Sequence, residues 1–112
     1  MTAEAILNPL VRRGLFSDVE HVARSLVRDY VLHQIDLCRK ETTEYENKHG
    51  MLFEQFTRYT EKRTEQLRQA GDWSKTERIA LAQAVMQDEQ DWLEWKATEE
   101  ILCSWLGLQG EA

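Results

Sequence analysis

The sequence contains little proline, little glycine and no long apolar segment. One proline and five glycines among 112 residues are too few for the many chain reversals of a β-sandwich or β-barrel. No apolar run approaches the roughly 18 residues of a membrane-spanning helix, and no signal-peptide pattern is present. We therefore expect one small all-α domain over residues 1–112, in a cytoplasmic protein without a membrane segment.

Cysteine is equally scarce. Cys38 and Cys103 are the only two, and without a secretory signal such a pair indicates reduced thiols rather than a disulfide or a metal site. Each falls in an apolar stripe of a predicted helix, so we expect both to pack in the core.

Apolar residues at spacings of three and four predict four helices. The first covers about residues 3–13 and ends at Gly14, unless it begins only at Asn8-Pro9. The second begins with a capping box, Ser17-Asp18-Val19-Glu20, whose serine hydroxyl caps the helix. It continues to residue 49, because Gly50 readily adopts the left-handed conformation that ends helices.

The other two helices follow after Gly50. The third runs from about Met51 to Gly71. The fourth opens with a second capping box, Ser74-Lys75-Thr76-Glu77, and ends near Leu106, leaving a frayed tail over residues 107–112. Two long helices joined by shorter ones predict an extended antiparallel bundle.

These helices have more apolar surface than one small chain can cover. Leu32 and Leu37 lie off the main stripe of the second helix, and Leu81 lies off that of the fourth. We therefore expect a twofold dimer formed by residues 1–71; the alternative is a compact monomer with ordinary surface leucines. The predicted dimer interface consists of Val22, Leu26, Val27, Tyr30 and Leu37.

Charge is unevenly distributed along the chain. The net charge is −6, from 20 acidic and 14 basic residues. Residues 1–71 are neutral overall, so the whole excess falls in residues 72–112. An acidic segment repels phosphate, which argues against nucleic acid, and it attracts a basic protein. The alternative is an ordinary solvated helix face.

Tryptophans alternate with acids in residues 88–106. Trp92, Trp95, Leu102 and Leu106 form one apolar stripe, and a second lies about 100° away. Such a helix is either buried or held between two partners, and tryptophan is common at interface hot spots. The predicted partner-binding residues are Asp88, Asp91, Trp92, Glu94, Trp95 and Leu102. The alternative is that the tryptophans fill the core.

Residues for catalysis are sparse. Glu46 and His49 form one Glu-x-x-His motif, whereas di-iron bundles need two such motifs and two further glutamates. There is no Gly-x-Ser-x-Gly and no glycine-rich phosphate loop. We expect a non-enzyme without metal or cofactor, in which His49 ends a helix beside Gly50.

Residues 5–31 resemble the helical pair of ribbon-helix-helix antitoxins, in which a helix ending in glycine precedes a serine-capped helix. That family reads DNA with an N-terminal strand, and residues 1–4 contain no alternating polar residues for this task. Arg12, Arg13, Arg24 and Arg28 could contact phosphate, or could pair with acids four residues away, such as Glu20. A degenerate transcriptional regulator of this family is therefore one alternative.

A second resemblance covers about residues 15–106. Residues 45–56, YENKHGMLFEQF, are similar to a junction of small all-helical bacterial antitoxins, and residues 88–97, DEQDWLEWKA, are similar to an acidic tryptophan segment that follows it. His49 and Lys96 depart from that pattern. The resemblance implies an antitoxin that binds and neutralises a small basic toxin. A structural or adaptor subunit of a larger assembly is the other alternative.

Overall fold

The computed structural model describes residues 1–111, which form four α-helices, one short 3₁₀ helix and no strand. The predicted all-α helical bundle with two long helices is thereby confirmed. The α-helices are α1 (Ala3–Arg12), α2 (Val19–His49), α3 (Phe53–Arg68) and α4 (Lys75–Glu111), and the 3₁₀ helix Ala70–Asp72 lies between α3 and α4.

The chain folds as two compact units. The first unit contains residues 1–37 and the residues from Leu102 onward, and the second unit contains residues 38–101. Helices α2 and α4 each contribute residues to both units. These boundaries do not coincide with the division at residue 71 that the charge distribution suggested.

Helix α1 begins at Ala3, so the alternative start at Asn8-Pro9 is wrong. Its cap is Thr2, whose Oγ1 accepts a hydrogen bond from the Ala5 N–H over 3.2 Å. This bond satisfies one of the backbone N–H groups that have no partner in the first turn of a helix. The helix that begins in this way continues through Pro9.

Glycines end α1 and α2 where the spacing predicted. Gly14 has a φ of 75°, and the Leu15 N–H reaches back to the Leu10 carbonyl over 3.2 Å. Gly50 has a φ of 64°, and its N–H donates to the Glu46 carbonyl over 2.7 Å. Both turns need the left-handed conformation that glycine adopts without a steric penalty.

The predicted cap of α2 is wrong by one residue. Asp18 caps the helix instead of Ser17: its Oδ1 accepts from the His21 N–H over 2.7 Å. Glu20 pairs with Arg24 over 2.7 Å rather than turning back to the cap. An aspartate is as good a cap as a serine and adds a negative charge at the positive end of the helix dipole.

The cap of α4 is placed correctly, but the ends of α3 and α4 are not. Ser74 Oγ accepts from the Glu77 N–H over 3.2 Å, as the second capping box predicts. Helix α3 ends at Arg68, ahead of Gly71. Helix α4 passes Leu106 and continues to Glu111, because glycine in a helix costs only about 1 kcal/mol relative to alanine. The frayed tail over residues 107–112 stays a prediction, and Ala112 lies outside the described residues.

The first unit leaves most of the predicted dimer interface uncovered. Val22 is the exception, since it is fully buried within the unit and offers no surface to a second chain. Tyr30 touches Trp105 edge to face at a centroid distance of 5.8 Å and is still 58% exposed. The other exposed members of the set are Leu26, Val27 and Leu37. We call these three residues and Tyr30 the α2 face.

The two cysteines are free thiols in different environments. Cys38 is buried, and this burial, aided by the charge of Glu41, raises the pKa of its thiol. Cys103 is exposed, so its predicted place in the core is wrong.

Substitutions of Gly50 and Gly107 by alanine should have opposite effects on stability. Neither added Cβ would have a heavy atom within 4 Å. Gly50→Ala should lower the free energy of unfolding by about 1 kcal/mol, because alanine is strained at positive φ. Gly107→Ala should raise it by up to about 1 kcal/mol, because alanine is the better helix former. Urea unfolding measures both changes, and equal signs would contradict this assignment of the two glycines.

Candidate partner-binding site

The two segments that carry the antitoxin resemblance lie against each other in the second unit. The hydroxyl of Tyr45 donates to Glu94 Oε2 over 3.1 Å, and one turn further along α2, His49 contacts Asp91. The residue numbers rise on one helix as they fall on the other, so this part of α2 and α4 runs antiparallel. Both segments could be recognised in the sequence, but the contact between them is visible only in the structure.

Asp91 is the buried carboxylate of this contact, with 4% of its surface exposed. Its Oδ2 accepts from Lys48 Nζ over 2.7 Å and from His49 Nε2 over 2.9 Å. Its Oδ1 accepts from Gln87 Nε2 over 3.2 Å. Burial alone would raise its pKa, but the hydrogen bonds from Lys48 and His49 outweigh burial and hold the pKa below its ordinary value.

Trp95 lies at the centre of an aromatic cluster and has no exposed surface. Its ring stacks on Tyr45 at a centroid distance of 5.5 Å and meets Phe56 at 5.5 Å. Phe53 approaches edge-on at 5.3 Å. The indole N–H donates to Glu99 Oε1 over 3.2 Å. Trp95 is therefore a core residue of the second unit.

Two predicted partner-binding residues thus need correction. Asp91 and Trp95 present no surface to a partner, because the end of α2 and the start of α3 already cover them. Leu102 is half-buried and belongs to the first unit, whereas the other predicted partner-binding residues belong to the second.

Asp88, Trp92 and Glu94 retain some exposed surface, so their role in binding stays a prediction. Asp88 is largely covered and lies 3.9 Å from Arg63 Nη1. Trp92 is half-buried, and its indole N–H donates to Thr57 Oγ1 over 2.9 Å. Glu94 is exposed, with its carboxylate held by Tyr45 and by Gln90.

The side of α4 opposite its buried residues also carries several apolar side chains, with the exposed Gln83 and Gln90 among them. Within the second unit the apolar side chains are Ile79, Met86, Leu93, Ala97 and Ile101, which we call the outer face of α4. Ile79, Met86, Leu93 and Ile101 are 48–69% exposed, and Ala97 is exposed as well. Their spacings of seven and four place them on one side of a helix. Sequence reasoning missed Ile79 and Met86, although their spacing from Leu93 was available as a signal.

A groove of about 510 Å³ lies between α3 and α4 in the second unit. We call it the α3–α4 groove. Its apolar part includes Trp92 and Leu93. Its charged residues are Glu61, Glu65 and Arg68 from α3 and Glu89 from α4, and three threonines complete the lining: Thr57, Thr60 and Thr64.

Other kinds of site are not found in the part of the chain that the structure describes. No group of three or more histidine, cysteine or acidic side chains over residues 1–111 could hold a metal ion. His49 of the Glu-x-x-His motif hydrogen-bonds to Asp91 instead. None of the described helices has a stretch that is long and apolar enough to cross a membrane.

No family model, no curated protein and no solved structure matches this chain.

Asp91→Asn should lower the free energy of unfolding by about 2 kcal/mol at pH 7, because hydrogen bonds to a buried charge are lost. The native pKa of Asp91 lies below the unfolded value of about 3.9, so the stabilisation is complete above that pH and disappears as the pH falls through the native pKa. Urea unfolding of both proteins at a series of pH values measures this difference.

Glu89→Gln is the matched control, since Glu89 is an exposed acid on the same helix. Its effect should stay within about 0.5 kcal/mol at every pH. If the free energies of unfolding of wild type and Asp91→Asn differed more as the pH is lowered, the proposed role of the Asp91 carboxylate would be contradicted.

Proposed function

We propose that this chain is a non-catalytic antitoxin that acts in the bacterial cytoplasm by binding and neutralising a small basic toxin. The observation that carries the proposal is the outer face of α4. The opposite side of the same helix already holds Val85 and Trp95 in the core. The second apolar side remains about half exposed or more within its own unit, so it is available to another protein; Leu93 also lines the α3–α4 groove.

Exposed apolar side chains on one side of a helix mark an interaction surface when they form a continuous stripe. A specific interface buries about 1,600 Å² in total, more than five side chains supply, so a partner would also contact the residues beside the stripe. Three of these are acidic and exposed: Glu89, Glu94 and Glu100. An apolar stripe with acidic borders favours a partner whose own apolar surface is bordered by lysine or arginine.

Neutralisation follows from such binding without any chemistry by this chain. A toxin that acts on nucleic acid or another anionic substrate needs a basic surface, and the acidic α4 competes for the same charges. Opposite charges also speed association, which helps an inhibitor to bind before the toxin acts. The resemblance of residues 45–56 and 88–97 to small helical antitoxins supports the same function.

The α2 face supports a homodimer as part of this proposal. Its four residues are 41–60% exposed and stand in the first unit, apart in the chain from the outer face of α4. A second copy of the chain that pairs through Leu26 and Leu37 would bury apolar surface that is otherwise exposed to water. The dimer would then present two acidic helices to toxin molecules.

The double variant Met86→Gln with Ile101→Gln tests the outer face. Both residues are exposed, and glutamine keeps the helix propensity while removing apolar contact area. The antitoxins that this chain resembles are encoded beside their toxin, so we expect the neighbouring gene to be toxic when expressed alone and harmless with the wild-type chain. The double variant should fail to rescue growth and bind the neighbour's product at least about tenfold more weakly.

The matched control is Ile6→Gln with Leu52→Gln, which removes two equally exposed apolar residues elsewhere and should rescue fully. Circular dichroism checks that every variant is folded. A neighbour that is harmless alone, or full rescue by the Met86 and Ile101 variant, would refute the proposal. A stable complex with a non-toxic protein would indicate the adaptor alternative instead, and DNA binding that weakens steeply with salt would indicate a ribbon-helix-helix regulator.

The dimer has its own test. Light scattering at micromolar concentration should give twice the chain mass of 13.2 kDa. Leu26→Gln with Leu37→Gln should give a monomer, because these substitutions remove the apolar contact between copies. The Ile6 and Leu52 control should remain dimeric, and a monomeric wild-type protein would show that the α2 face does not pair.

A further inference from the structure

We propose that the α3–α4 groove receives a basic, amphipathic helical segment of the partner protein. This inference rests on the proposed function and identifies which part of the chain recognises the partner's positive charge. Two features of the groove carry it: a floor whose hydroxyl and indole protons are already donated within the protein, and a rim with excess negative charge.

The floor is suited to apolar side chains because its hydroxyl groups are occupied within α3. Thr60 donates to the Thr57 carbonyl over 2.8 Å, and Thr64 donates to the Thr60 carbonyl over 3.0 Å. Thr57 donates to the Phe53 carbonyl and accepts the Trp92 indole N–H. The three threonine hydroxyls and the Trp92 indole therefore have no proton left to donate to an occupant. The surface that remains for an occupant consists of Leu93, the Trp92 ring and the threonine methyl groups.

The rim carries charge on both sides of the groove. Glu61 and Glu65 lie one turn apart on α3, and Glu89 lies on α4. Arg68 is the only basic residue in the lining, and its Nη1 is 3.5 Å from Glu65. The lining therefore keeps a net charge of −2, which favours an occupant with at least two positive charges.

Trp92 contributes ring surface to the groove rather than a site for a cation. The ammonium group of Lys96 already lies over its ring, 5.2 Å from the centroid, a distance typical of a cation–π contact, and Phe53 stacks on the ring at a centroid distance of 6.2 Å. We therefore expect the positive charges of an occupant at the three glutamates, from which an apolar occupant without positive charge would gain nothing.

The size and charge of the groove favour a basic helix over nucleic acid or a second copy of this chain. Its volume of about 510 Å³ lies within the roughly 300–1,000 Å³ of typical ligand sites, so several side chains fit. Nucleic acid would bring phosphates against the glutamates. A second copy of this chain would bring its own acidic α4. A helix that places leucines on the floor and lysines at the rim satisfies both parts of the groove.

A synthetic helical peptide of leucine and lysine, about four turns long, serves as the probe. Binding is followed by tryptophan fluorescence and by heteronuclear NMR shifts on the full chain. We expect saturable binding that weakens as salt is raised, with the largest shifts at Thr64, Glu89 and Trp92. The same peptide with glutamate in place of lysine should not bind. Shifts centred elsewhere, or equal binding of both peptides, would overturn the proposal.

Two variants test the rim and the floor separately. Glu61→Lys with Glu65→Lys should weaken peptide binding at least about tenfold, and both residues lie on α3, away from the outer face of α4. Glu44→Lys with Glu54→Lys makes the same charge change at exposed positions outside the groove and should change binding less than about twofold. Thr64→Phe fills the groove without altering charge and should also abolish binding. Equal losses in the two lysine pairs would indicate unspecific attraction and refute the groove.

The growth assay keeps this inference separate from the proposed function. If Glu61→Lys with Glu65→Lys still binds the neighbour's product as tightly as wild type, while the Met86 and Ile101 variant does not, the groove is refuted and the antitoxin function stands. If the outer-face variant rescues fully, the antitoxin function is refuted, and the peptide titration still decides what the groove binds.

Discussion

Asp91 is the group on which the second unit depends. A carboxylate with so little exposed surface is stable only when the protein replaces its lost hydration, and Lys48, His49 and Gln87 do so here. Because Lys48 and His49 are the last two residues of α2, the same bonds fasten the end of α2 to α4. They also hold the ring of His49 against Phe56, at a centroid distance of 4.0 Å, so the polar contact and the aromatic cluster are ordered together.

The orientation of α4 follows from this contact. Once Asp91 and Trp95 point into the core, the helical period sends Met86, Leu93 and Ala97 to the opposite side. A typical surface helix has polar residues there. The apolar side that remains exposed is therefore a consequence of how α4 is held, and it is the observation on which the proposed partner binding rests.

Helical periodicity and capping chemistry allowed much of the fold to be predicted. Apolar spacing located all four helices, Gly14 and Gly50 located two of their ends, and Ser74 located the start of α4. The predicted helix ends were wrong where the local sequence allows two outcomes. Ser17 and Asp18 can both cap a helix, and the carboxylate prevails. Gly107 can end a helix or continue it, and no local rule separates the two cases.

The candidate site could be predicted only in part, for a different reason. Residues 88–106 are apolar around most of the helix, so periodicity identifies two faces without indicating which one the rest of the chain covers. The predicted anchors Asp91 and Trp95 belong to the covered face, and Ile79 and Met86 belong to the other. The groove combines Glu61 and Glu65 with Glu89, which are far apart in sequence, so no pattern along one helix could reveal it.

The sequence alone determined that the protein is helical, where most helices begin and end, and that its excess negative charge falls in residues 72–112, because these properties depend on local spacing and composition. Only the tertiary structure decided which residues of α4 are buried and which remain exposed. That choice depends on the hydrogen bonds between Asp91 and the end of α2, a contact between residues more than forty positions apart, which local patterns do not encode.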